Sequence, residues 1–450
     1  MAAALVYGLA ITGEATARAL QQQGWTVTVA DDRVTPDSRA TAAGLGVDLV
    51  ESPSEGDLRD VVGAVQLVSP SPGLPEHHPV FAIAARAGVP VLSELELAYR
   101  WEQDRSGGPR PMVGVTGTDG KTTTTMMATA MLEASGRRAV AAGNTELPLV
   151  SALDLDVDVF VVECSSFRLV HTERFRPEAG VWLNLAPDHQ DWHRSMATYR
   201  AAKVRLWSQQ RPDDVAIGHA ADPIVAAELR RAPARHVTFA LADADYRVLD
   251  GALHGPQGPL VEIASMRRRL PHDVVDALGA AAGVLEPGLG HVAGVRDALA
   301  GFEPPHHRIE LVASAGGVDW YDDSKATTPH ASATAVRGFD HVVLLAGGRN
   351  KGLDLTPLGE VAGHLRAVVA LGEAADEVGK VFAAAAPDLP VTTATSMAEA
   401  VEAAGREARS GDVVLLSPAC ASFDWYSGYG ERGDDFARLV REFLGGKETS

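Results

Sequence analysis

The sequence predicts an α/β protein of three domains: a Rossmann-like N-terminal domain, a central domain with a P-loop and a mainly parallel sheet, and a Rossmann-like α/β C-terminal domain. Two observations predict this class. Short β-rich runs alternate with Ala-rich helical segments along the chain, and a Gly-rich turn followed by Lys-Thr opens the second of these series. The 450 residues suffice for roughly two to four compact units, at about 100 to 200 residues each.

Composition and charge exclude several classes of protein. With 46% hydrophobic and 22% charged residues the chain is globular in composition, and no apolar run approaches the roughly 18 residues of a membrane helix. Asp and Glu number 59 against 40 Lys and Arg, which argues against nucleic acid or an anionic membrane as a partner. The two cysteines lie far apart in sequence, and no basic leader pattern follows Met1. We therefore expect a cytoplasmic chain with reduced thiols and no membrane insertion.

Residues 1–101 are predicted to form the N-terminal domain. The motif Gly8-Leu-Ala-Ile-Thr-Gly13 follows a β-rich run and is similar to the dinucleotide fingerprint, but Ala10 takes the place of the second Gly, which permits close approach to pyrophosphate. An NAD site is therefore poorly supported. A nucleotide-like ligand at the strand ends is expected instead, since Ser71-Pro-Gly73 offers a second amide-rich turn. Strands are expected at residues 5–9, 27–30, 67–69 and 91–92.

The central domain is predicted over residues 102–302. Its first segment, 102–111, is charged, contains Gly and Pro, and is predicted to be a linker. We expect strands at residues 112–115, 157–162 and 181–185 and a helix at 198–207.

Residues 113–123 carry the sharpest chemical signal, a β-rich run, a Gly-rich turn and Lys-Thr at the start of a helical stretch. Small residues let backbone N–H groups and the helix N-terminus surround a phosphate, Lys121 adds a cation, and Thr122 offers a hydroxyl to Mg²⁺. Val115 stands where the eight-residue Walker pattern requires Gly, so the segment fits a variant P-loop. The alternative is a turn that only caps the helix.

Two further segments of this domain could bind metal. Glu163 ends a buried strand beside the P-loop, where the Mg²⁺ of a nucleotide site is usually anchored, although such a Glu is also compatible with a solvated strand end. Residues 186–193 contain two His and two Asp, which either ligate metal or cap the following helix. Lys203, taken by itself, is an ordinary surface lysine.

The C-terminal domain is predicted over residues 303–450, with a frayed tail at 445–450. Strands are expected at residues 342–345, 368–371 and 413–416.

Several motifs occur in a fixed order along the chain. The central domain contains Thr-Gly-Thr-x-Gly-Lys-Thr, Glu163-Cys-Ser-Ser-Phe, Asp188-His189 and Tyr199-Arg-Ala-Ala-Lys203. The C-terminal domain contains His307-Arg-Ile-Glu310, Asp322-Asp-Ser-Lys-Ala-Thr327, Gly347-Gly-Arg-Asn-Lys351, Ser417-Pro-Ala-Cys-Ala-Ser-Phe-Asp424 and Glu431-Arg-Gly433. Taken together, these motifs resemble those of the Mur ligase superfamily over almost the whole chain, and the C-terminal set resembles that of its D-glutamate-adding branch.

Three positions depart from the family's pattern, because Asp119, Asp273 and Asp322 stand where the family usually has Asn. The family has an adenine-side contact at the position of Asp273, and this exchange leaves Asp273 out of the expected ATP contacts.

The resemblance implies ATP-dependent amide formation. The L-alanyl carboxylate of UDP-N-acetylmuramoyl-L-alanine would attack the γ-phosphate of ATP to give an acyl phosphate, and the amine of D-glutamate would then displace phosphate. Both steps concentrate negative charge, so cations must offset it. The N-terminal domain would hold the UDP part, the central domain ATP, and the C-terminal domain the amino acid and part of the ATP. A monomer is expected.

The resemblance also implies the site residues. Two Mg²⁺ sites are expected, with Lys203 carbamylated so that its cation becomes a carboxylate-like oxygen ligand. The expected catalytic residues are Lys121, His189, Lys203 and Lys325. The expected ATP contacts are Gly117, Thr118, Asp119, Gly120, Lys121, Thr122, Thr123, Arg308 and Asp323. The expected metal ligands are Thr122, Glu163, His189 and Lys203. The expected substrate contacts are Thr12, Asp31, Asp32, Arg33, Ser71, Gly73 and Asn144 for the UDP-linked acceptor and Thr327, Lys351, Ser422 and Tyr429 for D-glutamate.

Other functions would require different sets of motifs in the sequence. An L-glutamate-adding relative would share these motifs, whereas a folylpolyglutamate synthetase-like or diaminopimelate-adding ligase would keep the central loop but lack the motif at residues 417–422. A nucleotide-regulated binding protein would need the P-loop but not two metal positions. An NAD oxidoreductase fits least well, because of Ala10.

Overall fold

The computed structural model describes residues 2–190, 192–303 and 306–447. Asp191 of the predicted metal loop and residues 448–450 of the predicted tail lie outside the described residues. Strands and helices alternate along the chain, which confirms the predicted α/β class. The chain divides into two compact units. The first comprises Met1–Leu185, His189–Arg267 and Val275–Phe302, and the second Ala186–Asp188, Arg268–Val274 and Glu303–Ser450. The predicted boundaries of three domains stay predictions.

The first sheet of the first unit is parallel, with strand order β3-β2-β1-β4. Four consecutive apolar residues of β1 are buried, as expected for a parallel strand covered on both faces. The carboxyl ends of its strands lie at one edge of the sheet. The strands are β1 Ala3–Tyr7, β2 Thr26–Asp31, β3 Asp48–Glu51 and β4 Leu67–Pro70. The helices are α1 Ile11–Gln22, α2 Pro36–Leu45, α3 Glu55–Gly63, α4 Pro79–Ala87 and α5 Glu94–Gln103.

Two strand predictions differ from this sheet. The strand predicted at 5–9 ends at Tyr7, because Gly8 turns the chain with φ +87°. The strand predicted at 91–92 is a single bridge from Val91 to Val68, since Ser93 is already the N-cap of helix α5. Strand β3, which has no fully buried residue, was not predicted.

The stretch predicted as a linker is a closed loop. Glu102 lies in the last turn of α5, and its buried carboxylate accepts hydrogen bonds from the backbone N, Nε and Nη2 of Arg110 at 2.8, 2.9 and 2.7 Å. The guanidinium of Arg110 also lies 4.5 Å from the ring centre of Phe160. A buried, multiply hydrogen-bonded ion pair thus fixes the two ends of this segment.

The second sheet of the first unit is also parallel, with order β10-β9-β8-β5-β7-β6. Strand β5 lies between β7 and β8, so the P-loop that follows it is flanked by the ends of both neighbours. The helix predicted at 198–207 is confirmed as α9, which begins with a capping box between Ser195 and Thr198. The strands are β5 Met112–Thr116, β6 Ala139–Gly143, β7 Val159–Glu163, β8 Ala179–Trp182, β9 Val215–His219 and β10 Arg235–Phe239. The helices are α6 Lys121–Ala134, α7 Leu149–Ala152, α8 Ser166–Leu169, α9 Met196–Ser208 and α10 Pro223–Leu229.

A small antiparallel sheet follows in the first unit, with order β11-β12-β13. Its strands were not predicted, since they have three to five residues and little alternation. The strands are β11 Arg247–Leu249, β12 Ala252–Gly255 and β13 Gly258–Glu262. A 3₁₀ helix Ile263–Ser265 and the helices α11 Pro271–Leu285 and α12 Val292–Gly301 come next in the chain.

The sheet of the second unit is mixed, with order β14-β15-β19-β16-β17-β18, and only the β14–β15 pairing is antiparallel. The predicted strands at 342–345, 368–371 and 413–416 are confirmed within β16, β17 and β19. The strands are β14 Glu310–Ala315, β15 Val318–Asp322, β16 Val342–Gly347, β17 Leu365–Leu371, β18 Val391–Ala394 and β19 Val413–Ala419. The helices are α13 Pro329–Val336, a 3₁₀ helix Thr356–His364, α14 Ala375–Ala385, α15 Met397–Glu407 and α16 Tyr429–Lys447.

Two structural findings concern the thiols and the possibility of a membrane-spanning helix. Cys164 and Cys420 are free and buried. Across the part of the chain that the structure describes, no helix is both long enough and apolar enough to span a membrane.

Candidate active site

The Gly-rich turn joins the end of β5 to the start of α6. Gly120 is the N-cap of α6 with φ +81°, and a Cβ atom there would lie 2.5 Å from Oδ1 of Asp276. Glycine is therefore required both by the backbone and by the neighbouring carboxylate. The N-cap glycine itself contributes no side-chain hydrogen bond to the start of α6. The first turn of α6 is thus a helix N-terminus, where backbone N–H groups can bind an anion, and the phosphate site predicted at this turn stays a prediction.

Two lysines lie against this turn. Nζ of Lys121 donates to the carbonyl oxygens of Gly117 at 2.9 Å and Thr118 at 2.6 Å. Nζ of Lys203 donates to the same Gly117 oxygen at 2.6 Å and lies 4.6 Å from the ring centre of Tyr199. Lys203 is only 1% exposed, so the reading of this residue as an ordinary surface lysine is wrong. Helix α9 brings it beneath the P-loop.

The conformation of the turn depends on Asn184, which sequence reasoning missed. Its Oδ1 accepts hydrogen bonds from the backbone N of Thr118 at 2.8 Å and of Asp119 at 2.9 Å, and its Nδ2 donates to the Asp119 carbonyl at 3.2 Å. These two amides are therefore directed at Asn184. The available signal was an amide residue two positions after β8, which pairs with β5.

Glu163 ends β7, and strand register sets it beside Val115 of β5. Nδ2 of Asn144 donates to Glu163 Oε1 at 2.8 Å, so the residue predicted to contact substrate is tied to the predicted metal ligand. Oε2 of Glu163 is buried and has no hydrogen-bond partner among the described residues. A buried carboxylate oxygen without a hydrogen-bond partner among the described residues, next to the Gly-rich turn, fits Mg²⁺.

The two histidines of the loop after β8 differ in burial and in their contacts. His193 is buried, and its Nε2 is 2.9 Å from Oγ of Ser166. His189 has a left-handed φ of +55°, and its ring centre lies 4.5 Å from that of Phe167. The cap of α9 is Ser195, so the alternative in which the His and Asp residues cap that helix is wrong. His189 remains the half-buried histidine of the pair.

The predicted acceptor-binding residues of the N-terminal sheet lie at its carboxyl edge. Asp31 closes the first turn, because its carboxylate accepts from the backbone N of Leu9 and of Arg33, both at 2.9 Å. Oγ of Ser71 donates to the Gly8 carbonyl at 2.7 Å. The remaining residues of this set lie around the same turns: Asp32, Arg33 and Gly73 are exposed, and Asp32 accepts from the hydroxyl of Tyr7 at 2.7 Å.

Thr12 has a partner that sequence reasoning missed. Nη2 of Arg168 donates to Thr12 Oγ1 at 2.9 Å, and Nη1 lies 3.6 Å from Glu94 Oε2. Arg168 and Glu94 are 5% and 1% exposed. This buried pair joins the first turn of α1 to helix α8, which begins three residues after Glu163.

The predicted ATP contacts of the second unit lie where β15 ends and β14 begins. Oγ of Ser417 donates to Asp323 Oδ2 at 2.7 Å. Burial raises the pKa of Asp323 to about 7, although the Ser417 hydrogen bond and the charge of Arg308 lower it. Nη1 of Arg268 donates to the backbone carbonyl of Arg308 at 2.7 Å. Lys325, predicted to be catalytic, has its Nζ 5.0 Å from the ring centre of Tyr429.

The predicted D-glutamate residues follow the ends of neighbouring strands β15, β16 and β19. Arg432, which is buried, donates to Ser324 Oγ at 2.9 Å, to the Ser324 carbonyl at 2.7 Å and to the Cys420 carbonyl at 3.1 Å. It thereby ties two of the strand ends to helix α16. The members of the set differ in exposure: Ser422 is buried, Thr327 is half-buried, and Lys351 and Tyr429 are exposed.

Asp273 and Asp322, which stand where the family usually has Asn, each face a basic side chain. Asp273 is buried, and Oδ1 accepts from Nε of Arg268 at 2.7 Å. Asp322 is also buried, and Oδ2 lies 2.6 Å from Nδ1 of His307. At each position a nearby basic side chain offsets the negative charge of the Asp, which an Asn would lack.

Models of three Mur ligase domains match the chain. The MurD-like N-terminal domain of Mur ligases matches residues 2–93, the Mur ligase middle domain residues 115–263, and the Mur ligase glutamate ligase domain residues 307–420.

Curated relatives match nearly the full length. The chain is 44% identical to the UDP-N-acetylmuramoylalanine–D-glutamate ligase of Frankia casuarinae, covering 97% of this chain and 93% of that one. It is 39% identical to the enzyme of the same name from Thermobifida fusca, covering 98% of both chains.

Solved structures share the fold. The UDP-N-acetylmuramate–alanine ligase MurC of Thermotoga maritima superposes with a TM-score of 0.60 at 18% identity, covering 98% of this chain and 99% of that one. The MurF ligase of the same organism, in complex with ADP, gives a TM-score of 0.60 at 15% identity over 85% of this chain and 95% of that one.

Proposed function

The chain belongs to the Mur ligase family, an ATP-dependent ligase family, and on that basis we propose that it joins D-glutamate to UDP-N-acetylmuramoyl-L-alanine. The product would be the amide between the L-alanyl carboxylate and the amine of D-glutamate, a step of peptidoglycan precursor synthesis in the cytoplasm. The observation that supports this chemistry most strongly is the approach of Lys121 and Lys203 to one carbonyl of the P-loop. We also propose that the chain acts as a monomer, which light scattering of the purified protein tests.

We assign the binding of ATP phosphates in the first unit to the turn at residues 117–123. The N–H groups at the start of α6 and the ammonium of Lys121 would offset the charge of the β- and γ-phosphates. Asn184 contributes indirectly, since it fixes the backbone of Thr118 and Asp119. In the second unit we assign contacts with ATP to Arg308, Asp323 and Lys325.

The metal ligands that we propose are Thr122 and Glu163 for one Mg²⁺, and His189 and carbamylated Lys203 for a second. Bound Mg²⁺ would supply neutralisation of the phosphate charge. The environment of Lys203 favours carbamylation for a physical reason. Its ammonium is buried and shares a carbonyl with Lys121, and burying a charge next to a like charge is unfavourable. Addition of CO₂ to the neutral amine replaces that cation with an anion.

The reaction that we propose has two steps. A carboxylate oxygen of the acceptor attacks the γ-phosphorus, the bond to ADP breaks, and an acyl phosphate forms. The amine of D-glutamate then attacks the acyl carbon, and inorganic phosphate leaves with the oxygen that came from the acceptor. Lys121 would stabilise the charge that develops on the transferred phosphoryl group.

We assign the two organic substrates to opposite ends of the chain. The UDP part would bind at the carboxyl edge of the N-terminal sheet, where Asp31 and Ser71 already shape the turns. Asn144 would contact the muramoyl part beside Glu163. The two carboxylates of D-glutamate would bind through Thr327, Lys351, Ser422 and Tyr429.

Oxygen transfer tests the mechanism directly. Acceptor labelled with ¹⁸O in its alanyl carboxylate should give inorganic phosphate that carries one ¹⁸O atom per turnover, and only when D-glutamate is present. A nucleotide-regulated binding protein would release unlabelled phosphate. Unlabelled phosphate in a reaction that does form the amide would contradict the acyl-phosphate route.

A further inference from the structure

His307 and Asp322 form a close pair in the second unit. Nδ1 of His307 lies 2.6 Å from Asp322 Oδ2, and the two side chains are 12% and 3% exposed. The other carboxylate oxygen of Asp322 accepts from the backbone N of Ser324 at 2.8 Å. Both carboxylate oxygens are thus engaged, and the imidazole supplies the side-chain donor.

The start of helix α16 packs directly against this pair. A Cβ atom on Gly433 would lie 2.2 Å from Nδ1 of His307 and 2.6 Å from Oδ2 of Asp322. The pair therefore occupies the space that any larger residue at position 433 would need. This close packing fixes the imidazole and the carboxylate in one arrangement.

Each member of the pair is the chain neighbour of a proposed ATP contact. His307 precedes Arg308, and Asp322 precedes Asp323. The backbone on both sides of Arg308 is left-handed, with φ +61° at His307 and φ +47° at Ile309. This conformation is unfavourable for residues with a side chain, above all for a β-branched one, and persists only where other contacts impose it.

We propose that His307 and Asp322 are positioning residues, whose charged pair holds Arg308 and Asp323 in the arrangement that binds ATP. This rests on the proposed function, because it takes Arg308 and Asp323 as ATP contacts. The unusual aspartate at position 322 makes the device sensitive to pH, since the pair is ionic only while His307 is protonated.

The surroundings of His307 favour its protonated form. Hydrogen bonding to Asp322 raises the pKa of His307 above its ordinary value, the charges of Asp322, Asp434 and Glu310 act in the same direction, and burial opposes them. Asp434 Oδ1 of α16 lies 4.0 Å from Nε2, and the Glu310 carboxylate of β14 accepts from the His307 backbone N at 3.2 Å. The rings of His306 and Tyr429 complete its surroundings, with centres at 5.8 and 6.2 Å.

The interaction between His307 and Asp322 should weaken as the pH rises. The histidine has a raised pKa in the folded protein, so the stabilisation is complete below the ordinary histidine pKa of about 6.5 and is lost as pH rises through the higher folded value. ATP binding should therefore weaken in the alkaline direction. An Asn at position 322, the residue usual in the family, would remove the ionic part of the interaction and with it the pH dependence.

The test compares the Michaelis constant for ATP of wild type, Asp322→Asn, His307→Gln and the control His306→Asn between pH 6 and pH 9. His306 is the exposed neighbour, with 86% of its side chain accessible. Each value is divided by that of Asp322→Asn at the same pH, which removes the titration of ATP itself. We expect this ratio to rise about tenfold across the range for wild type and for the control His306→Asn, the scale of one charge-assisted hydrogen bond, and to stay flat for His307→Gln.

A second measurement does not depend on turnover. The ¹⁵N chemical shifts of the His307 ring should titrate at a higher pH in wild type than in Asp322→Asn, and melting curves establish that each variant is folded. Equal pH profiles in wild type and Asp322→Asn, or equal His307 titrations, would overturn the proposal. Absence of ATP turnover in wild type at every pH would instead refute the proposed function.

Discussion

Lys121 and Lys203 donate hydrogen bonds to the same acceptor, the backbone carbonyl oxygen of Gly117, at 2.9 and 2.6 Å. The first lysine begins helix α6 and the second lies in the middle of α9. Two ammonium groups thus lie at one point of the Gly-rich turn. Their proposed roles differ, because Lys121 stays a cation for phosphate while Lys203 becomes an anion for metal, and the two roles can be tested separately.

Replacing Lys121 by Ala should reduce kcat by about 10²- to 10³-fold, the scale of one transition-state donor in a preorganised site. The melting temperature should change little, because the hydrogen-bond acceptors of Lys121 Nζ among the described residues are carbonyls of its own turn. Steady-state phosphate release and a melting curve measure the two effects. Turnover close to that of wild type would refute the role assigned to the turn.

Lys203→Arg should be inactive although it keeps the charge, because a guanidinium cannot add CO₂ or ligate Mg²⁺. Lys203→Ala should be inactive as well, but a short carboxylic acid such as acetate should restore part of its activity by replacing the carbamate. The matched control is Lys380→Arg, an exposed lysine of α14, which should behave as wild type. An active Lys203→Arg enzyme would exclude the carbamate.

Asp323→Asn should stabilise the protein more at pH 8 than at pH 5. Burial raises the pKa of Asp323 to about 7, against about 3.9 for an ordinary aspartate. The folded state therefore holds this proton more tightly than the unfolded state, and stability falls as pH rises from about 4 to about 7. The Asn variant has no carboxyl group to ionise and therefore keeps its stability as the pH rises. Its melting temperature should exceed that of wild type by a few degrees at pH 8, because each kcal/mol of stability corresponds to about 2–4 °C.

The control for Asp323→Asn is Asp340→Asn, an exposed position of the same unit, where the difference from wild type should not vary with pH. A gap between Asp323→Asn and wild type that is constant from pH 5 to pH 8 would mean that Asp323 is ionised throughout.

Arg110→Ala should destabilise the first unit by about 3–5 kcal/mol, the cost of leaving a buried carboxylate without its partner. The carboxylate is that of Glu102, which is 2% exposed. Arg105→Ala, in the same segment but exposed, should change stability by no more than about 0.5 kcal/mol. Urea unfolding distinguishes them. Equal stability of the two variants would mean that the segment is a loose linker.

Features set by local sequence were predicted more accurately than features that depend on contacts between distant residues. The strands at 342–345 and 413–416 were predictable because a parallel strand buried on both faces is a continuous apolar run. The three-residue strand β11 has no such pattern. The turn at 117–123 was predictable because its chemistry is local. The burial of Lys203 was not, since it depends on how α9 packs against the distant β5 turn.

The partners of the site residues were harder to predict than the residues themselves. Arg168 reaches Thr12 across 156 positions of sequence, and Arg432 reaches Ser324 across 108. Nothing in the local sequence of either arginine indicates its partner. The three aspartates in place of Asn were visible in the sequence, but only the structure identifies Arg268 and His307 as the bases that face two of them.

The identity of the amino acid tests the central claim most directly. D- and L-glutamate carry the same charges and differ in where the α-amine lies relative to the acyl phosphate, so a site built for one should react slowly with the other. The measurement is formation of the UDP-linked amide, with release of phosphate, from ATP, UDP-N-acetylmuramoyl-L-alanine and each of D-glutamate, L-glutamate, diaminopimelate and D-alanyl-D-alanine. We predict rapid product formation with D-glutamate and background rates with the others, whereas faster reaction with L-glutamate or diaminopimelate would contradict the proposed function.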